Sequence, residues 1–381
     1  MRIDFPIISA DSHVTEAPNT YLDYIDPRYA DVAPHVVKTE DKGDIYVIEG
    51  MKGTIAMGLV AAAGQSADEL NTRARYEDLH KSGYDATYRI ADQNRDGVSA
   101  EIIYPSVGMV LCNHPDFDYK KAAMDAYNRW ISEYCSVDPV RLLALGQTPM
   151  RSPEEGIKDL EKMKAMGMRG VMMPGNPQME DYDSEIYGEF WEACVDLGLV
   201  PSFHILTSSS DSLNKPRGPK MNGFLSIIRG NQDIMGMFVL AGVFERHPRL
   251  KIVCVEADAG WAPHFTYRMD HAFKRHRKWL RAGVDRMPSE YFNEHIYLTF
   301  QDDWVAFANA DQMNWRRLCW ANDFPHSDST WPWSQELLDE HTAHLTEEQK
   351  RAILCDNTAG LYGIDVSALP VGGDLLAASG S

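Results

Sequence analysis

A (β/α)8 TIM barrel, distorted by an insertion between its first and second strands, is the fold this sequence predicts. Two observations point to it: eight short apolar runs recur along the chain, and stretches of helical pattern lie between them. The runs are "FPIISAD" (5–11), "AEIIYP" (100–105), "RLLALGQ" (141–147), "RGVMMPG" (169–175), "LVPSFHIL" (199–206), "LKIVCVEA" (250–257), "IYLTF" (296–300) and "RLCWAND" (317–323). Segments this short and apolar, bounded by Gly, Pro and charge, suit strands covered on both faces, as in a parallel sheet. A doubly wound open sheet is the alternative.

The connecting segments read as helices. "SPEEGIKDLEKMKAMGM" offers Ser152 as N-cap with Glu155 three residues on, a capping box, and stops near Gly167. "SEIYGEFWEACVDLGL" places Phe190, Cys194 and Leu197 on one face, as a crossover helix before the run at 199 requires. Residues 27–90 do not fit the repeat. They contain a possible hairpin, "VVKTEDKGDIYVIEG", and are too long for a plain connection, so they read as an insertion beside the barrel mouth, a candidate lid. Residues 1–364 thus form one barrel, and the small, polar residues 365–381 a flexible tail.

Composition narrows the partners. With 56 acidic against 37 basic side chains the net charge is -19, a field that repels phosphates, so nucleic acid and anionic membrane surfaces are not expected and a small molecule is. The six cysteines show no CxxC pairing and read as reduced core residues. The chain runs from its first residues into a strand pattern rather than a signal peptide, and no apolar run approaches the ~20 residues of a membrane span. A cytoplasmic address is expected.

Active sites of such barrels form where the strands end, so position along each run is the test of a candidate. Asp11 and His13 close the first run, His204 the fifth, Glu256 the sixth and Asp323 the eighth. Histidines and carboxylates converging at one level can hold a divalent metal and leave a position open. Residues two apart on a strand share a side, so Asp11 and His13 can both face the barrel axis. Each also has a plainer reading: a histidine satisfied in the core, an aspartate bonding the amides after it. Glu16 can start a helix instead of joining the ligands.

Together, "DSHVTE", "PSFH", "PRLKIVCVEADAGWAPHFTYRMD", "NDFPHSDSTWP" and "DNTAGLYGI" resemble the amidohydrolase superfamily over residues 5–364, in the branch of aminocarboxymuconate semialdehyde decarboxylase and gamma-resorcylate decarboxylase. The resemblance implies that Asp11, His13, His204 and Asp323 bind metal. "RGVMMPG" lacks the carboxylated lysine of two-metal members, which implies one divalent ion, zinc in first place and manganese as the alternative. It also implies a homodimer or higher oligomer. At the sixth strand, Glu256 stands where the decarboxylases of this branch have a histidine; a carboxylate there would repel a substrate carboxylate.

The expected activity is metal-dependent decarboxylation of a small aromatic or unsaturated carboxylic acid, with Asp323 or Glu256 protonating carbon and the metal acting as Lewis acid. The alternative is a hydrolase that directs an activated water, deprotonated by Asp323, at an amide, ester, lactone or C–C bond. His326 is a further catalytic candidate. Trp261, His114 and Arg89 are candidates for substrate contact, Arg89 and Arg95 as carboxylate anchors and Trp261, Trp331 and Trp333 as aromatic walls.

Overall fold

The computed structural model describes residues 3–208, 217–280 and 283–379. Eight parallel strands form a single sheet in the order β1 (Ile8–His13), β5 (Ala100–Tyr104), β6 (Leu142–Gln147), β7 (Gly170–Met173), β8 (Val200–His204), β9 (Ile252–Val255), β10 (Ile296–Phe300) and β11 (Leu318–Trp320). All eight apolar runs are strands. Every residue of these strands is buried, as full cover on both faces demands. The sheet curls into a nearly closed barrel, which bears out the expected fold class.

Helices separate the strands where the pattern placed them. Pro153–Ala165 starts at Ser152, whose hydroxyl accepts the Glu155 amide, and Gly188–Leu197 buries Phe190, Trp191 and Cys194 and ends on a left-handed Gly198. All six cysteines are buried and free. Among the described residues no helix is long and apolar enough to cross a membrane.

β1 and β11 meet without a regular ladder among the described residues. Their seam is stitched by single bonds: the His13 amide donates to the Phe324 carbonyl at 2.7 Å, the Asp323 amide to the Asp11 carbonyl at 3.1 Å, and the Asn322 amide to Ser9 Oγ at 2.9 Å. A bulge between Ser9 and Ser12 shifts the register of β1 against β5 at the level of Asp11.

Between β1 and β5 the chain builds a three-stranded antiparallel sheet of β2 (His35–Thr39), β3 (Gly43–Val47) and β4 (Thr54–Ala56), the first pair being the expected hairpin. Gly43, at φ +71°, is required there, because a Cβ would lie 2.3 Å from the Arg73 backbone. This segment rests on loops at the C-terminal ends of the strands. The Tyr46 hydroxyl donates to the Ala17 carbonyl, Ala63 N–H to the Pro325 carbonyl and Ser327 N–H to the Leu59 carbonyl. The closing segment carries a 3-10 turn, Val366–Ala368, and a helix, Gly372–Ser379; residues 380 and 381 of the expected tail lie outside the described residues.

Candidate metal centre

Among the described residues, five other than glycine have left-handed backbone: Met150, Leu206, Glu256, Asp258 and Asp323. Each lies just past the C-terminal end of a barrel strand. Such conformations cost about 1–3 kcal/mol apiece and persist where the surroundings fix them, commonly at functional sites.

The expected ligands come together there, in a regrouped form. Asp11, His13 and His204 gather with Glu256, while Asp323 joins His13, Glu256 and His326; within each group the ligand atoms lie within 4.8 Å of one another. His13 Nε2 is the hub, 3.3 Å from Asp11 Oδ1, 3.4 Å from Glu256 Oε2 and 3.5 Å from Asp323 Oδ1. His204 Nε2 lies 3.1 Å from Glu256 Oε2 and 3.6 Å from Asp11 Oδ1.

Backbone carbonyls orient both rings. His13 Nδ1 is 3.1 Å from the Pro105 carbonyl and His204 Nδ1 3.0 Å from the Ile205 carbonyl, so each Nδ1 carries the hydrogen it donates. The two Nε2 atoms then face each other at 3.2 Å. Both oxygens of Asp11 and of Asp323, with Glu256 Oε2, are buried without a hydrogen-bond partner. Orphaned carboxylate oxygens are costly unless a positive charge meets them, and converging imidazole lone pairs complete the donor set of a divalent cation. The residues fit a metal.

The same field orders the protons. Burial pushes every acid here up, yet His204 and His13 hold Asp11 below the usual carboxylate range, and the same rings hold Glu256 low. Burial works against a charged His13 and His204, but Asp11 and Glu256 overcome it, taking His204 up to about 10. Asp323 is the exception, raised well above 3.8 by burial and then by the charges of Glu256 and Asp11.

The contacts of His326 leave room for a proton on Asp323. Ser106 Oγ donates to the Val14 carbonyl at 2.6 Å, so it accepts from His326 Nε2 at 2.8 Å. His326 Nδ1 is left as an acceptor, 3.0 Å from Asp323 Oδ1. Burial and the neighbouring His13 push the His326 imidazolium down to about 3, so the ring stays neutral and a proton is favoured on Asp323 rather than on His326. Ser106, at the end of β5, was missed by sequence reasoning; the strand-end rule could have found it.

Other candidates fall outside this cluster. Arg89 is fully buried and its guanidinium is consumed by Glu101 Oε2 at 2.6 Å and by the carbonyls of His13 and Phe324, so it cannot anchor a substrate carboxylate. Arg95 stacks on Trp331. His114 bonds the Glu49 carbonyl at 2.7 Å and packs on Tyr119, tying the insertion down. Trp261 donates to the Ala257 and Asp258 carbonyls and packs on Phe265, bracing the loop after Glu256. Trp331 is buried against Phe324 and His80, and Trp333 is exposed. Glu16 accepts the Val107 and Gly108 amides; burial lifts it to about 7.

The chain matches a known family, and its barrel matches solved structures. The family model of amidohydrolases matches residues 81–364, and the chain belongs to that family of enzymes. It is 24% identical over 302 residues to the 2-amino-3-carboxymuconate-6-semialdehyde decarboxylase of Dictyostelium discoideum, a match covering 76% of this chain and 80% of that one. Among solved structures it resembles an amidohydrolase of Mycobacterium avium subsp. paratuberculosis, at TM-score 0.77, 18% identity, and 96% and 99% of the two chains. It also resembles the 5-carboxyvanillate decarboxylase of Novosphingobium aromaticivorans, solved with manganese and 4-hydroxy-3-methoxy-5-nitrobenzoic acid, at TM-score 0.67, 16% identity, and 94% and 96% of the chains. At these identities the structural likeness is one of fold.

Proposed function

We propose that this enzyme is a metal-dependent carboxy-lyase that removes CO2 from a small aromatic or unsaturated carboxylic acid. One observation carries the reading: the strand-end cluster of Asp11, His13, His204, Glu256 and Asp323, in which both oxygens of Asp11 and of Asp323 and Oε2 of Glu256 lack hydrogen-bond partners. The decarboxylase relatives and the manganese of one structural neighbour support it. Asp11, His13, His204 and Glu256 would hold one divalent ion, manganese or zinc, with Asp323 at its edge. Bound there, the ion supplies Lewis acidity toward substrate oxygen atoms.

The chain's own residues manage the proton. Ser106 fixes the His326 ring, His326 faces Asp323 with a lone pair, and Asp323 carries the hydrogen. Asp323 delivers it to the carbon bearing the carboxylate; the C–C bond then breaks, its electron pair returns to the unsaturated system, and CO2 leaves. Solvent reprotonates Asp323. The insertion at 27–90 serves as the lid that limits water.

A hydrolase is the second reading, and one observation favours it. Arg89 is committed to Glu101, while Glu256, Asp258 and Asp328 make this mouth acidic, an unwelcoming surface for a carboxylate. Product mass separates the two. Manganese-loaded protein incubated with hydroxybenzoates, muconates, lactones and amides should release CO2, with Asp323→Asn as blank; a gain of water would establish the hydrolase instead.

A further inference from the structure

The helix Ala86–Asp96 reverses the usual rule for a barrel helix. Its buried positions are Ala86, Arg89, Gln93 and Asp96, a mostly polar stripe at helical spacing. Seven residues apart on one face, Arg89 and Asp96 both reach the seam between β1 and β11. Asp96 Oδ2 accepts the Asn322 amide nitrogen at 3.2 Å and the Ser334 hydroxyl at 2.6 Å. Arg89 grips the seam nearer the metal cluster: Nη1 donates to the His13 carbonyl at 2.6 Å and Nη2 to the Phe324 carbonyl at 3.2 Å.

Those carbonyls belong to a metal-ligand candidate on the first strand and to the neighbour of Asp323 after the last. One backbone bond, from the His13 amide to the Phe324 carbonyl at 2.7 Å, ties the two residues, but no regular ladder among the described residues holds their separation. A planar guanidinium can do so, because its donors form a rigid fork. The fork is fixed from behind, with Glu101 accepting from Arg89 Nε at 2.6 Å, from Nη2 at 3.1 Å and from Gln93 Nε2 at 2.6 Å. Glu101 stands on β5, the neighbour of β1, so the brace spans two strands and the loop after β11.

We propose that Arg89, held by Glu101, is a positioning residue that sets the spacing of His13 against Asp323 and thereby the affinity of the centre for its metal ion. The inference rests on the metal reading above. Removing one partner strands a buried charge and can unfold the chain for that reason alone. The informative variants are therefore Arg89→Met/Glu101→Met, which deletes both charges and keeps apolar bulk, and Arg89→Lys, which keeps the ion pair and loses the fork.

The experiment titrates Mn2+ into each metal-free protein by calorimetry, after circular dichroism and a thermal melt have shown it folded. Both variants should bind Mn2+ at least about tenfold more weakly than wild type, the range seen when outer-shell support of a metal site is lost. Should the double variant fail to fold, Arg89→Lys decides. Wild-type affinity in the folded variants would overturn the inference and leave the metal reading standing. A wild-type chain that takes up neither Mn2+ nor Zn2+ would overturn the metal reading itself, and the inference with it.

Discussion

His326 presents Nδ1 to Asp323 at 3.0 Å only because its Nε2 is committed to Ser106, whose own hydrogen goes to the Val14 carbonyl. Three residues from three loops thus decide which atom of the centre carries a proton. Ser106→Ala frees the ring to turn or to change tautomer. We expect kcat to fall about tenfold or more, with KM and Mn2+ affinity unchanged, and stability to drop by about 1 kcal/mol for the lost hydrogen bonds. Steady-state kinetics with a thermal melt checks this, and an unchanged kcat would show that the ring needs no such lock.

Asp323→Asn removes the proton carrier and keeps its shape. Because burial and the charges of Glu256 and Asp11 already disfavour the anion, a neutral amide costs the fold nothing there, and the melting temperature should hold or rise. Activity should fall by at least about two orders of magnitude, the contribution of a positioned acid. Residual activity near that of wild type would move the proton to Glu256.

Metal uptake competes with protons, and the sign follows from the shifts. His204 is raised from 6.5 to about 10, so the stability it gives the metal-free protein is complete below pH 6.5 and is lost as pH climbs toward 10. Asp323, an acid raised well above 3.8, also favours the protonated folded state and destabilises it as pH rises. Metal-free protein should therefore melt at a lower temperature at pH 8 than at pH 6. Added Mn2+ replaces the His204 proton, so its stabilising shift should grow over the same interval, and calorimetry in buffers of different ionisation enthalpy should register proton release. A shift independent of pH would mean the cation binds elsewhere.

Strand ends were legible because burial on both faces forces short apolar runs, and a barrel then fixes where chemistry collects. That logic picked out Asp11, His13, His204, Glu256 and Asp323 together. It failed at Arg89 because amphipathic reasoning takes polar residues for the outer face of a helix, whereas this helix turns Arg89, Gln93 and Asp96 inward to a seam with no regular ladder among the described residues. Ser106 lies just past β5, within reach of the same rule, but was passed over for another reason. A serine after a strand is ordinary until the partners of its hydroxyl are known.

The insertion offers the last test. His114 Nε2 holds the Glu49 carbonyl at 2.7 Å, and Gly50 beside it sits at φ +83° with room for no side chain, since a Cβ would fall 2.7 Å from that nitrogen. Gly50→Ala therefore strains the backbone, at about 1–2 kcal/mol, and pushes this end of the β2–β4 sheet away from the loop after β5. If residues 27–90 form the lid of the site, KM should rise about tenfold with kcat nearly constant, because substrate binding weakens while the Asp323–His326 pair is untouched. Equal KM values for variant and wild type, measured on folded protein with full metal content, would reduce the insertion to a structural ornament.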